Sequence, residues 1–210
     1  MEADNIDGKK EPKRLPVWAC ISLFIVVLFI FIGLYGTLVS GGLSLVLGVE
    51  ARHPGVVGYI FVEASMLLAV LTAAVILLRL ERRPFSDLGL SLKGHASGLW
   101  YGLLMAILLY LLGFGISVVL GEIEVTGFQF KPLDLLGSWV FFLLVALFEE
   151  ILMRGYILGR LLHTNMNKFL ALFISSALFA FMHIFNPEIA FLPMLNLLLA
   201  GMLHGCWPLF

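Results

Sequence analysis

The chain has 210 residues, 61% of them hydrophobic and 13% charged, with a formal net charge of −1 and a mean hydropathy of +1.05. Those values lie far outside the soluble globular range and describe a polytopic membrane protein, an all-α transmembrane helix bundle of about six spans. No basic stripe with interleaved aromatics is present, so nucleic acid is excluded as an expected partner; membrane lipids are the expected surroundings.

Residues 1–16 are polar, with Lys9, Lys10, Lys13 and Arg14 just before the first apolar run, and read as a cytoplasmic tail. Val17 to Val39 is long enough to span and shows no small-residue cleavage site at its end, so it reads as a retained helix rather than a secretory signal. Ser40 to Gly55 is Gly-rich and predicts a loop. A second span is expected from about Val56 to Leu80. It contains Glu63, either an acid facing the bundle or an interfacial residue in the first turns of its helix. Pro84 then stops the helix ahead of a charged loop holding Arg79, Glu81, Arg82, Arg83, Asp87, Lys93 and His95.

The third span is expected over Ser97 to Leu120, where Gly98, Gly102, Gly113 and Gly115 would let another helix approach closely. Glu122 to Asp134 is the next loop, with Asp134 as the expected N-cap of the fourth span, Leu135 to Leu162. His163 to Lys168 makes a tight turn, the fifth span covers Phe169 to Phe185, and a sixth apolar stretch follows from Ile189 to Phe210. Residues 17–134 thus form an N-terminal set of helices and 135–210 a second, chemically richer block. Cys20 and Cys206 stand in apolar surroundings without a CxxC pair and read as packing residues.

Lys and Arg number four in the tail, four between spans two and three, and two around the turn after span four, against Arg52 and Lys131 on the opposite side. The positive-inside rule therefore puts the N-terminus in the cytoplasm.

The densest chemistry is Leu147-Phe148-Glu149-Glu150-Ile151-Leu152-Met153-Arg154-Gly155. Leu135 to Phe148 is about 14 residues of apolar helix, too short for a core that needs about 20, so the fourth span must carry both glutamates inside the membrane. The alternative is a helix end at the interface, but the apolar pattern continues from Ile151 to Leu162. On a helix Glu150 and Arg154 share a face within ion-pairing reach, whereas Glu149 is turned by roughly 100° and left free. A free carboxylate in a partly desolvated cavity is placed to take a proton from water, a general base by position.

The fifth span carries His183, with Phe179 one turn earlier on the same face, where a ring can shield the imidazole. A lone histidine in a helix reads first as a hydrogen-bonded core residue. A short antiparallel connection brings the two spans together, so a carboxylate and an imidazole converging on one water become the stronger reading. No HExxH is present.

Glu149-Glu150-x-x-x-Arg154 matches the EExxxR motif, and Phe179-x-x-x-His183 the FxxxH motif, of the CPBP intramembrane proteases, also called the ABI or type II CAAX prenyl endopeptidase family; the surrounding residues resemble bacterial members. The resemblance covers about Ser138 to Gly205. It implies that Glu149 is the catalytic base and His183 a site ligand, with Glu150, Arg154 and Phe179 supporting, in a prokaryotic cell membrane. It implies a peptide or membrane-protein substrate. It leaves open a metal-free mechanism or a divalent metal such as zinc, held by Glu149 and His183. Family members continue to a further helix with HxxxN or HxxxD, whereas His204 here is followed four positions later by Pro208. The expectation is a shortened or frameshifted chain whose active site would be weak or dead.

Three functions compete: an intramembrane endopeptidase near the cytoplasmic leaflet, a catalytically impaired scaffold or bacteriocin-immunity protein of the same fold, and a proton-linked transporter using Glu63 and Glu149. The last ranks lowest because no internal repeat is evident.

Overall fold

A computed structural model describes residues 15–47, 55–90, 96–184, 186 and 190–206. The Lys and Arg of the tail, Arg52, Lys93, His95, Pro208 and the side chains of His204 and Cys206 lie outside the described residues.

The described residues form six helices and no strand: α1 (Val17–Leu47), α2 (Gly55–Leu80), α3 (Ala96–Val119), α4 (Pro132–Leu162), α5 (Lys168–Met182) and α6 (Phe191–Cys206), with a 3-10 turn at Phe85–Leu88. An all-helical architecture is what hydrocarbon demands, because each backbone N–H and C=O must find its partner within its own segment. Four of these helices are long and apolar enough to cross a membrane, while α5 and α6 are shorter apolar helices. The protein is an integral membrane protein.

Several boundaries differ from the sequence expectation. α1 continues through Gly41 and Gly42 to Leu47, where a loop was expected from Ser40; a glycine's low helix propensity matters less where an unpaired peptide group is costlier. Asp134 is not the N-cap of α4. The helix starts at Pro132 after Lys131, because proline suits the first helical position, and Asp134 lies in the first turn, where a negative charge complements the helix dipole. α5 ends at Met182 rather than Phe185.

α1 and α2 close through small residues. Ser65, Ala69, Ala73 and Ala74 are buried on α2, and Cys20, Ile21, Phe24 and Leu28 of α1 repeat at helical spacing in the core. α2 also packs along α4, and α5 along α6. Three of the four glycines expected to admit a neighbour find none: nothing lies within 4 Å of a Cβ added at Gly102, Gly113 or Gly115, and none of the span Trp100–Val119 is buried. The expected close approach is therefore absent among the described residues, and α3 presents its apolar surface outward.

The core is densest around the second half of α4. Residues Ile151–Leu158 form a π-helical segment, and Ile151, Leu152, Met153, Tyr156, Ile157 and Leu158 are all buried. Phe24 of α1 stacks on Tyr156 with ring centroids 3.9 Å apart. The 3-10 turn comes in against Gly155, where a Cβ would lie 3.1 Å from the Leu88 carbonyl oxygen. Ser175 of α5 donates to the Met153 carbonyl at 3.3 Å, so α5 is pinned to the segment by a buried hydrogen bond. π-helical turns inside α-helices are frequent at functional sites, and this one starts immediately after Glu149 and Glu150.

Candidate active site

Glu149 is the last residue but one of regular α-helix before the π-helical segment, and its side chain points across the α4–α5 boundary. His183 is the C-cap of α5, not a residue of the helix body as the sequence suggested. Its amide bonds the Ala180 carbonyl at 3.1 Å, a tightened final turn. That position gives the imidazole a helix end to lean on and an open side facing α4.

The ring's two nitrogens have separate jobs. Nδ1 lies 2.8 Å from the Phe179 carbonyl oxygen. A carbonyl can only accept, so Nδ1 carries the hydrogen and the neutral ring turns a lone pair outward at Nε2. Nε2 stands 3.5 Å from Oε1 of Glu149. A lone pair and a carboxylate oxygen do not attract one another; the gap is bridged by a proton on Nε2 or by a water donating to both groups. The side chains of His183 and Glu149 are 22% and 31% exposed, so the gap is reachable from outside the fold.

Glu150 and Arg154 pair at 2.6 Å, as the four-residue spacing predicts. The guanidinium carbon of Arg154 also sits 5.8 Å from the centroid of the Phe179 ring, and that ring meets the His183 ring at 4.8 Å and 62°. Arg154, Phe179 and His183 thus form a stack, so a charge on α4 helps set the orientation of the imidazole on α5. All five residues singled out by the two motifs come together.

Sequence reasoning left Glu63 undecided. It is half-buried on α2, one turn after Tyr59, whose ring meets Phe141 of α4, so it lies on the α2 face that packs against α4. Glu81 was read only as part of a charged loop. It pairs with Arg160 and accepts a hydrogen bond from the Tyr156 hydroxyl at 2.6 Å. Its only signal in the sequence is its place at the end of α2.

Among the described residues no three His, Cys, Asp or Glu side chains converge in a way that would hold a metal ion. Among the described residues Glu149 and His183 supply two donors, one fewer than catalytic zinc takes from a protein, and no step is derived through a metal.

Residues 131–207, which span α4 to α6, match the model of the family described as type II CAAX prenyl endopeptidase Rce1-like. No curated protein and no solved structure matches the chain. The matched segment contains both motifs and the whole Glu149–His183 constellation. Over that segment, which is 77 of the 210 residues, the chain is similar to the Rce1-like family of type II CAAX prenyl endopeptidases.

Proposed function

We propose that the α4–α5 pair is the hydrolytic centre of an intramembrane endopeptidase, in which Glu149 activates water and His183 holds it. The observation that carries the reading is the 3.5 Å gap between Glu149 Oε1 and His183 Nε2, with Nδ1 already committed to Phe179. A water in that gap donates one hydrogen to each group, which aims an oxygen lone pair away from both and toward a bound peptide. As the oxygen attacks the scissile carbonyl carbon, its proton passes to Glu149. The protonated Glu149 then returns that proton to the departing amine as the C–N bond breaks, leaving a carboxylic acid and an amine. Glu150 and Arg154 keep the start of the π-helical segment in place, and Phe179 limits the rotation of the His183 ring.

The site works from the cytoplasmic leaflet of a prokaryotic cell membrane, with the N-terminus cytoplasmic. Supporting this orientation, Arg79, Arg82, Arg83 and Arg160 gather at the end of the bundle where α1 begins, since Glu81 joins Arg160 and Tyr156, and Tyr156 stacks on Phe24 of α1. Peptides or membrane-protein segments entering from that leaflet are the substrates.

Glu149→Gln is the decisive test. The amide keeps the shape of the carboxylate and removes only its charge. The purified variant should fold as the parent does in detergent and lose at least about 100-fold in peptide hydrolysis, the scale of general-base catalysis. Equal turnover by parent and variant sinks the reading. Equal inactivity of both favours the scaffold or immunity function, in which Glu150 and Arg154 serve structure alone.

A further inference from the structure

α2 carries one acid into the membrane, Glu63, on the helix face that meets α4. Two contacts set the register of that interface. Val56 fills the space over Gly137, where its Cγ1 would lie 2.7 Å from an added Cβ, and Tyr59 meets Phe141 edge-on with centroids 6.3 Å apart. Both contacts advance in the same direction, so the helices run parallel. Four residues beyond Tyr59, Glu63 comes level with about Val145, one turn before Glu149. The Glu63 side chain is half-buried, and it makes no hydrogen bond or ion pair with the described residues. Glu149, by contrast, has His183 at 3.5 Å. An intramembrane carboxylate is costly to keep and marks a pathway or a binding site by default.

We infer that Glu63 is a specificity-determining residue of the hydrolytic centre, selecting peptides that place a Lys or Arg side chain beside the scissile bond. The inference rests on the endopeptidase reading. Two carboxylates and one imidazole leave the junction of α2, α4 and α5 with surplus negative charge. A cationic side chain entering it removes the repulsion between Glu63 and Glu149, whereas an acidic one adds a third like charge in a poorly solvated space. The axial offset of one turn, about 5.4 Å, corresponds to about two residues of extended peptide at about 3.3 Å each. The selected position is therefore about two residues from the bond cleaved, on the side of the peptide that runs along α2 toward its N-terminus.

The test uses the full chain in detergent micelles with paired fluorogenic peptides carrying Lys or Glu at each position within three residues of the cleaved bond. The parent should prefer Lys at one such position by about tenfold in kcat/KM, a discrimination within reach of a single charge pair. Glu63→Gln should bring the two peptides close to parity, and Glu63→Lys should favour the Glu peptide. A structural role for Glu63 would lower both rates together and leave their ratio unchanged, which overturns the inference. If Glu63→Gln does not fold, Glu63→Asp keeps the charge on a shorter stem and should retain the Lys preference; parity in that folded variant also overturns it. Hydrolysis that depends on Glu149 but ignores Lys against Glu in the parent defeats the inference and leaves the endopeptidase reading standing. No hydrolysis by the parent defeats both. A chelator that inhibits the parent but not Glu63→Gln would assign the Glu63 charge to a metal ion instead.

Discussion

α4 carries two ion pairs within seven residues of each other, and they are built in opposite ways. Glu150–Arg154 is local: its partners stand one turn apart on one helix, and the Glu150 side chain is 48% exposed. Glu81–Arg160 joins α2 to α4 across the fold, with the Arg160 and Glu81 side chains only 12% and 7% exposed. The first decorates the surface of the site, and the second fastens the helix that carries it. Arg160 also leaves its Nε and Nη1 atoms buried without a hydrogen-bond partner among the described residues, so its charge depends heavily on Glu81. The same residue types four positions apart on a helix and far apart in sequence therefore differ in what their loss would cost.

The largest expected effect follows from that difference. Glu81→Gln strands the Arg160 charge in a desolvated setting, and removing one partner of such a pair costs about 3–5 kcal/mol. Thermal unfolding in detergent should show a large drop in midpoint or a loss of folded protein. Replacing both residues with Met should recover most of it, since an apolar pair has no charge to strand. A double variant as unstable as Glu81→Gln would show that the pair is not what holds α2 to α4.

Next in size is Gly155→Ala, which tests the other fastening of the π-helical segment. The added methyl would meet the Leu88 backbone oxygen at 3.1 Å, an atom that cannot rotate away. Overpacking of this kind costs about 1–3 kcal/mol. Hydrolysis should fall together with stability, because the shift falls between Glu149 and the 3-10 turn. Unchanged stability would mean that the Phe85–Leu88 turn yields freely and does not position the site.

The smallest effect on stability is expected at Arg154. Because Glu150 is half exposed, a double-mutant cycle between Glu150→Gln and Arg154→Ala should report a coupling of only about 1 kcal/mol or less. Activity should respond more than stability does, since Arg154 also lies over Phe179 and so touches the His183 stack. Coupling as large as that of the Glu81–Arg160 pair would contradict the comparison between the two.

Much of the site was legible in the chain because its contacts obey local geometry. The Glu150–Arg154 pair and the Phe179–His183 contact both follow from a four-residue spacing on a helix, and the short turn from His163 to Lys168 brought α5 beside α4. The expectation that Glu149 lies within the membrane rests on counting apolar residues against the thickness of a bilayer. The capping of α5 by His183 was missed because Phe181, Met182, Ile184 and Phe185 keep the stretch apolar on either side of it. The helix ends there through a hydrogen bond from a side chain to the Phe179 carbonyl, and hydropathy carries no signal of that bond.

The sequence by itself determined that the protein is a helical membrane bundle and that Glu149, Glu150 and Arg154, and Phe179 and His183, fall at helical spacings on two apolar segments, because bilayer thickness and helical period act on neighbours in the chain. Only the tertiary structure decided that Glu63 lies on the α2 face that meets α4, that Glu81 leaves its loop to pair with Arg160 beneath Tyr156, and that α4 turns π-helical beyond Glu150. Those features depend on how one helix is rotated and registered against another. That choice is made by packing Phe24 on Tyr156, Val56 on Gly137 and Leu88 on Gly155, contacts between residues far apart in the chain to which no local period applies.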